Sequence, residues 1–161
     1  MWIDERGSQV LELAECRRLL ALGAKQHRHG HLGVADGDGA PTVLPVNYVM
    51  SGLDVVILVG EGLFRHLENR LVAFEVDGAD GAENVPAGGG ATAWSVLVKG
   101  LALEQEGPAP SSILPALLVA EPGHRVVRIR TDVLTGRRLA SRDGGEGAGP
   151  GASGHASARA N

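Results

Sequence analysis

Along the first part of the chain, apolar residues recur at the spacing of a helix. Val10, Leu11, Ala14, Leu19, Leu20 and Leu22 gather on one side when wound at about 3.6 residues per turn. Ser8 offers a hydroxyl to cap the first turn, and Gly23 offers a residue to end the last. Beyond Gly23 the pattern turns strand-like. His29 to Ala35 is a short run closed by Asp36-Gly37-Asp38-Gly39, a turn signal. Thr42 to Met50 is a second run, and Ser51-Gly52 turns it. Leu53 to Val59 is apolar at nearly every position, which predicts a central strand covered on both faces.

Gly60-Glu61-Gly62 then leads into a short helix carrying Leu63, Phe64, His66 and Leu67. Leu71 to Asp77 is the fourth strand. A glycine-rich loop spans Asp77 to Gly90, and Thr92 to Leu103 is a fifth strand long enough to bend around a barrel. Ser111 and Ser112 cap a further helix bearing Ile113, Leu114, Leu117 and Leu118, with Pro115 tolerated in its first turn. Arg125 to Arg130 is the sixth strand, with Val127 and Ile129 alternating with Arg128 and Arg130. Six strands in consecutive hairpins predict a mainly β fold, a small antiparallel barrel with a few short flanking helices. No internal repeat is present.

Composition narrows this picture. The chain has 161 residues, the length of one domain, and 43% of them are hydrophobic, enough for a core. From Ser141 to Asn161 no large apolar residue occurs and Gly, Ala and Ser dominate. Such a segment cannot offset its ordering entropy, so residues 1–139 are expected to fold and 140–161 to form a flexible tail. The formal net charge of -4 argues against a general nucleic-acid binder. Cys16 is the one cysteine, which excludes an intrachain disulfide and fits a reducing cytoplasm. The apolar runs fall short of the roughly 20 residues of a membrane helix, and the N-terminus lacks a signal-peptide layout. A cytoplasmic protein with no membrane partner is therefore expected.

Several stretches carry a family likeness. They are Glu15-Cys16-Arg17-Arg18-Leu19-Leu20, Gly30-His31-Leu32-Gly33-Val34, Pro45-Val46-Asn47-Tyr48, Val72-Ala73-Phe74-Glu75-Val76-Asp77, Trp94-Ser95-Val96-Leu97-Val98-Lys99-Gly100, and Val127-Arg128-Ile129 with Thr135-Gly136-Arg137-Arg138-Leu139. In order and spacing they resemble the pyridoxamine 5'-phosphate oxidase-like, flavin-binding split-barrel proteins, more narrowly their actinobacterial branch. The resemblance runs from about Leu11 to Leu139. It implies a six-stranded antiparallel split β-barrel, a homodimer, and FMN or the deazaflavin F420 in a groove between subunits. It also implies that Pro45, Val46, Asn47 and Tyr48 lie along the flavin ring. In such proteins the next strand ends in Arg-Thr, and the following helix carries a hydroxyl and a Lys for the phosphate.

The chain departs from that pattern where the phosphate belongs. Leu58-Val59 stands in place of Arg-Thr, and Leu63-Phe64 in place of the hydroxyl and Lys. A phosphate dianion needs charge-assisted donors, and aliphatic side chains have none. Glu61 at the helix start also repels an anion. The remaining donors are the backbone amides of the Val59-Gly60-Glu61-Gly62 turn, with Arg65 and His66 one turn further on. The same turn also reads simply as a tight strand-to-helix connection, since no third glycine completes a dinucleotide fingerprint.

Other features have two readings each. His27, His29 and His31 alternate, so on a strand they share a face. They are either a solvated edge or a cluster able to bind haem or a metal. No carboxylate or cysteine stands near them in sequence, so no metal site is assigned. Glu75 and Asp77 share a side of their strand and read as a solvated face rather than an acid–base pair. Asn47 either bonds a flavin edge or satisfies barrel backbone. Trp94, beside Ser95, either stacks near a flavin or packs internally. Cys16 reads as helix packing, since no base adjoins it.

Taken with the resemblance, these features lead to an FMN-dependent oxidoreductase with an atypical phosphate site. Its expected cofactor contacts are Pro45, Val46, Asn47, Tyr48, Val59, Gly60, Gly62, Arg65, Trp94 and Ser95. No catalytic side chain is assigned, because hydride chemistry belongs to the flavin. The rival is a binding protein on the same barrel that holds F420, haem or an apolar small molecule.

Overall fold

The structure is a computed structural model and describes residues 8–26, 29–35, 37, 39–79, 92–106 and 123–140. The expected helix at Ser111–Leu118, most of the glycine-rich loop and the expected tail from Ser141 lie outside the described residues. Eight strands and two helices follow in chain order among the described residues. They are β1 (Ser8–Val10), α1 (Leu13–Lys25), β2 (His29–Ala35), β3 (Pro41–Ser51), β4 (Asp54–Gly60), α2 (Glu61–Leu67), β5 (Arg70–Ala79), β6 (Thr92–Glu104), β7 (His124–Ile129) and β8 (Val133–Ala140).

The six expected strands are β2 to β7, and they close into an antiparallel barrel in the order β6-β5-β2-β3-β4-β7, with β7 returning to β6. Not all neighbours are consecutive hairpins. β4 pairs with β7, and β5 pairs back with β2, because α2 carries the chain away from β4 before β5 begins.

β6 makes the split. One edge pairs with β5 over ten residues. Its other edge pairs with β8 from Thr92 to Lys99, then with β7 from Ala102 to Glu104. Gly100 sits at the change of partner, and a Cβ there would collide with the backbone carbonyl of Arg130. Arg130 N–H in turn donates to the Leu101 carbonyl at 3.1 Å. This glycine is needed for close backbone approach rather than for an unusual φ.

The expected helix start is corrected. Ser8 lies in β1, which pairs with β8 at the other end of the chain, and α1 begins at Leu13 after Glu12. Leu11 turns inward instead, and its backbone N–H bonds the Gly136 carbonyl at 3.0 Å. The helix end is corrected too. Gly23 is interior to α1, which runs on to Lys25. Cys16, Leu19, Leu20 and Gly23 form its buried stripe, at the spacing of one helical face. A Cβ on Gly23 would strike the Tyr48 hydroxyl, so glycine here permits close packing of helix on barrel.

Alternation within the strands fills the barrel interior. Leu32 and Val34, Val55 and Ile57, Val72, Phe74 and Val76, Val96 and Val98, and Val127 and Ile129 all point inward and are buried. Val56 is buried as well, so β4 is covered on both faces, as its apolar run requires. Among the described residues Phe74 is the largest fully buried side chain, and a Cβ on Gly30 would enter its ring. Truncating such a residue typically costs about 3–5 kcal/mol.

Candidate functional site

The residues expected to hold a cofactor divide between the two faces of the barrel. β3 presents Val43, Pro45, Asn47 and Val49 outward, as their partners Gly33, His31, His29 and Val56 fix. Val46 and Tyr48 face inward. Tyr48 is only 3% exposed; its hydroxyl donates to the Leu20 carbonyl at 2.8 Å. Its ring meets Phe74 edge-on, with centroids 4.9 Å apart. The side chain thus ties α1 to the barrel. Val59 and Trp94 are also buried core residues. Ser95 lies on the outer face of β6, opposite Asp77 of β5. β2 and β5 stand between it and β3, so Ser95 is about 14 Å from Asn47 across the sheet.

The start of α2 is the second region. Gly60 is the N-cap, and Glu61 opens the helix. The Glu61 carboxylate accepts from Arg65 Nε at 3.3 Å and from Arg125 Nε at 2.9 Å. Arg125 also donates to Glu104 at 2.7 Å and lies over the Phe64 ring, 5.2 Å from its centroid. Hydrogen bonding from Arg125, then from Arg65, holds the Glu61 carboxyl below its ordinary value despite partial desolvation. Glu104 and Glu61 together raise Arg125 above its ordinary value. The two cations nearest the helix start are therefore engaged by the chain's own carboxylate. Sequence reasoning passed over Arg125, because β7 brings it to α2 from 64 residues away.

Three of the apolar residues that replace the expected phosphate donors pack into or against the core. Val59 and Phe64 belong to the core, and Leu63 packs against it. Gly62 and Leu63 line a recess of about 270 Å³ with Val34, Thr42 and His66. His66 Nδ1 lies 2.9 Å from the Gly62 carbonyl, while the Arg65 side chain is 75% exposed.

β2 and β5 bring together residues far apart in sequence. His31 is paired with Glu75, and its Nδ1 lies 3.2 Å from Glu75 Oε2. Asp77 adjoins them on the same face. Sequence proximity gave His31 no carboxylate; the sheet sets Glu75 opposite it and Asp77 beside them, while His27 lies outside the described residues. Cys16 is fully buried, with its Sγ 3.8 Å from the Leu11 carbonyl, and burial raises its thiol above the ordinary range. That is the packing role expected of it.

The family model for pyridoxamine 5'-phosphate oxidase matches residues 12–138. The chain belongs to that family.

The family's barrel also appears among solved structures. An FAD binding protein from Mycobacterium smegmatis is 26% identical, with TM-score 0.60 over 81% of this chain and 99% of that one. An FAD-binding protein from Mesorhizobium loti is 25% identical, with TM-score 0.63 over 82% of this chain and 98% of that one. A heme binding protein from Mycobacterium smegmatis shares the fold at 18% identity, with TM-score 0.58 over 77% of this chain and 54% of that one. No curated protein matches the chain. In this chain, Glu61 bridges Arg65 and Arg125 at the start of α2.

Proposed function

We propose that this chain binds a flavin along the outer face of β3, as a homodimer, and acts as a flavin-dependent oxidoreductase. The outer strip of Val43, Pro45 and Val49 suits an apolar ring, and Asn47 adds one amide able to donate and accept at a ring edge. Val43 and Leu71 are 62% and 76% exposed on this outer face, apolar surface of the kind a second subunit covers. When bound, the flavin supplies the electron transfer; the protein's part is to seat and orient it.

One observation favours FAD over FMN. Glu61 already bridges Arg65 and Arg125. FMN ends in a phosphomonoester dianion, which meets a carboxylate there and no free guanidinium pair. The FAD pyrophosphate would spread its two charges over two phosphorus atoms, so less charge would stand beside Glu61. The two relatives named for FAD binding, both at least 25% identical, support the same choice.

The test is an absorption spectrum of desalted protein after separate incubation with FAD, FMN, F420 and haemin, read beside its sedimentation. FAD retained by a dimer, with weaker FMN retention and loss on Asn47→Leu, is the expected result. Protein that retains no flavin ends the oxidoreductase reading. A Soret band instead would move the chain to haem binding.

A further inference from the structure

We infer that His31, Glu75 and Asp77 form a binding site for a first-row divalent cation of the Zn²⁺ class on the outer face of the β2–β5 pair. The ligand atoms of the three side chains lie within 4.8 Å of one another. Two ligands each about 2.0–2.1 Å from a tetrahedral ion stand about 3.3 Å apart. His31 Nδ1 and Glu75 Oε2 are already 3.2 Å apart, so a cation can replace their mutual contact with little movement.

The backbone holds this arrangement rigidly. His31 and Glu75 are directly paired, and neither β2 nor β5 is a sheet edge, since β3 and β6 flank them. Only side-chain rotation remains to close the site. Asp77 follows Glu75 by two residues and therefore shares its face. The β2–β5 register, carried two residues beyond its last pair, sets His29 opposite Asp77. A second imidazole thus borders the site.

The donor chemistry is consistent with a cation of this class. One imidazole nitrogen and two carboxylate oxygens suit Zn²⁺, Mn²⁺ or Fe²⁺ better than soft Cu(I) or a strictly oxygen-seeking Mg²⁺. The two carboxylates complement a double positive charge. In the single chain the His31 and Glu75 side chains are 47% and 32% exposed, which leaves open positions on the ion for exchangeable ligands. Three protein ligands with an open position is the arrangement of reactive rather than purely structural zinc. No part of this site depends on a bound flavin.

The experiment uses the untagged, chelator-stripped full chain. ZnCl₂ is titrated by calorimetry, and Co²⁺ by its visible absorption. One equivalent per chain is expected. His31→Gln, Glu75→Gln and Asp77→Asn should each weaken binding by at least about tenfold, since even an outer partner of a ligand is worth about 10–100-fold. Zinc should raise the unfolding midpoint of the wild type and not that of the triple variant. The metal-free midpoints of these exposed-site variants serve as the folding control. A His66→Gln/His124→Gln double variant should bind as the wild type does. Failure of the wild type to take up either ion overturns the site. So does any one of the three ligand variants binding as tightly as the wild type.

Discussion

Arg125 Nε donates to Glu61 Oε2 at 2.9 Å, joining the last barrel strand to the first residue of α2. The bond fixes the electrostatics of the place where relatives in this family are expected to hold a phosphate. A carboxylate engaged by two guanidinium groups stands at the start of α2.

Glu61→Gln should therefore strengthen FMN binding more than FAD binding. Removing one negative charge from the approach of a dianion is expected to tighten FMN by up to about tenfold. Fluorescence quenching titrations of both flavins give the ratio. Equal changes for FMN and FAD would show that the phosphate lies elsewhere.

Tyr48 is structural by its placement. Tyr48→Phe keeps the edge-on contact with Phe74 and loses the bond to the Leu20 carbonyl. The expected loss is about 0.5–1.5 kcal/mol, read as a lower urea midpoint at unchanged slope. Flavin binding should be unaffected, because the ring faces the interior.

Two glycines should respond oppositely to alanine. Gly100→Ala drives a methyl into the Arg130 carbonyl, where two strands cross, and backbone cannot swing aside. A loss of about 3 kcal/mol or more, or failure to fold, is expected. Gly62 lies in α2, and a methyl added there would find nothing within 4 Å. Gly62→Ala should gain about 0.5–1 kcal/mol through helix propensity. Thermal unfolding of the two variants side by side checks the contrast.

Acid should weaken the seam between α1 and β8. Glu15 bonds Arg18 at 2.7 Å and Arg138 at 2.9 Å, and these bonds, Arg18 first, bring its carboxyl from 4.5 down to about 2. A carboxyl depressed on folding stabilises the protein above its unfolded value and ceases to do so as pH falls through the folded one. Wild type should exceed Glu15→Gln in stability by roughly 1 kcal/mol at neutral pH. That gap should close as pH is lowered from 4.5 to about 2. Denaturant midpoints of both proteins across this range measure it.

Much of the fold was legible locally. The alternation of Leu32 and Val34, of Val72, Phe74 and Val76, and of Val127 and Ile129 names the inward face of each barrel strand without knowledge of its neighbours. The unbroken apolar run of β4 announces burial on both sides. These patterns are properties of adjacent residues, and strand geometry converts them directly into faces. The apolar Leu58-Val59 and Leu63-Phe64 likewise show in the sequence where the family's expected Arg-Thr, hydroxyl and Lys are replaced.

Pairing is what the sequence could not express. β1 was hidden because three residues become a strand only against β8, which lies more than a hundred residues away. Gly23 read as a helix stop, since its real role depends on Tyr48 arriving from another element. His31 acquired Glu75, and Glu61 acquired Arg125, only through the barrel's register. Side-chain alternation is set by a residue's nearest neighbours, whereas cross-strand company is set by how six strands close. The first is written along the chain, and the second exists only once the sheet has met itself.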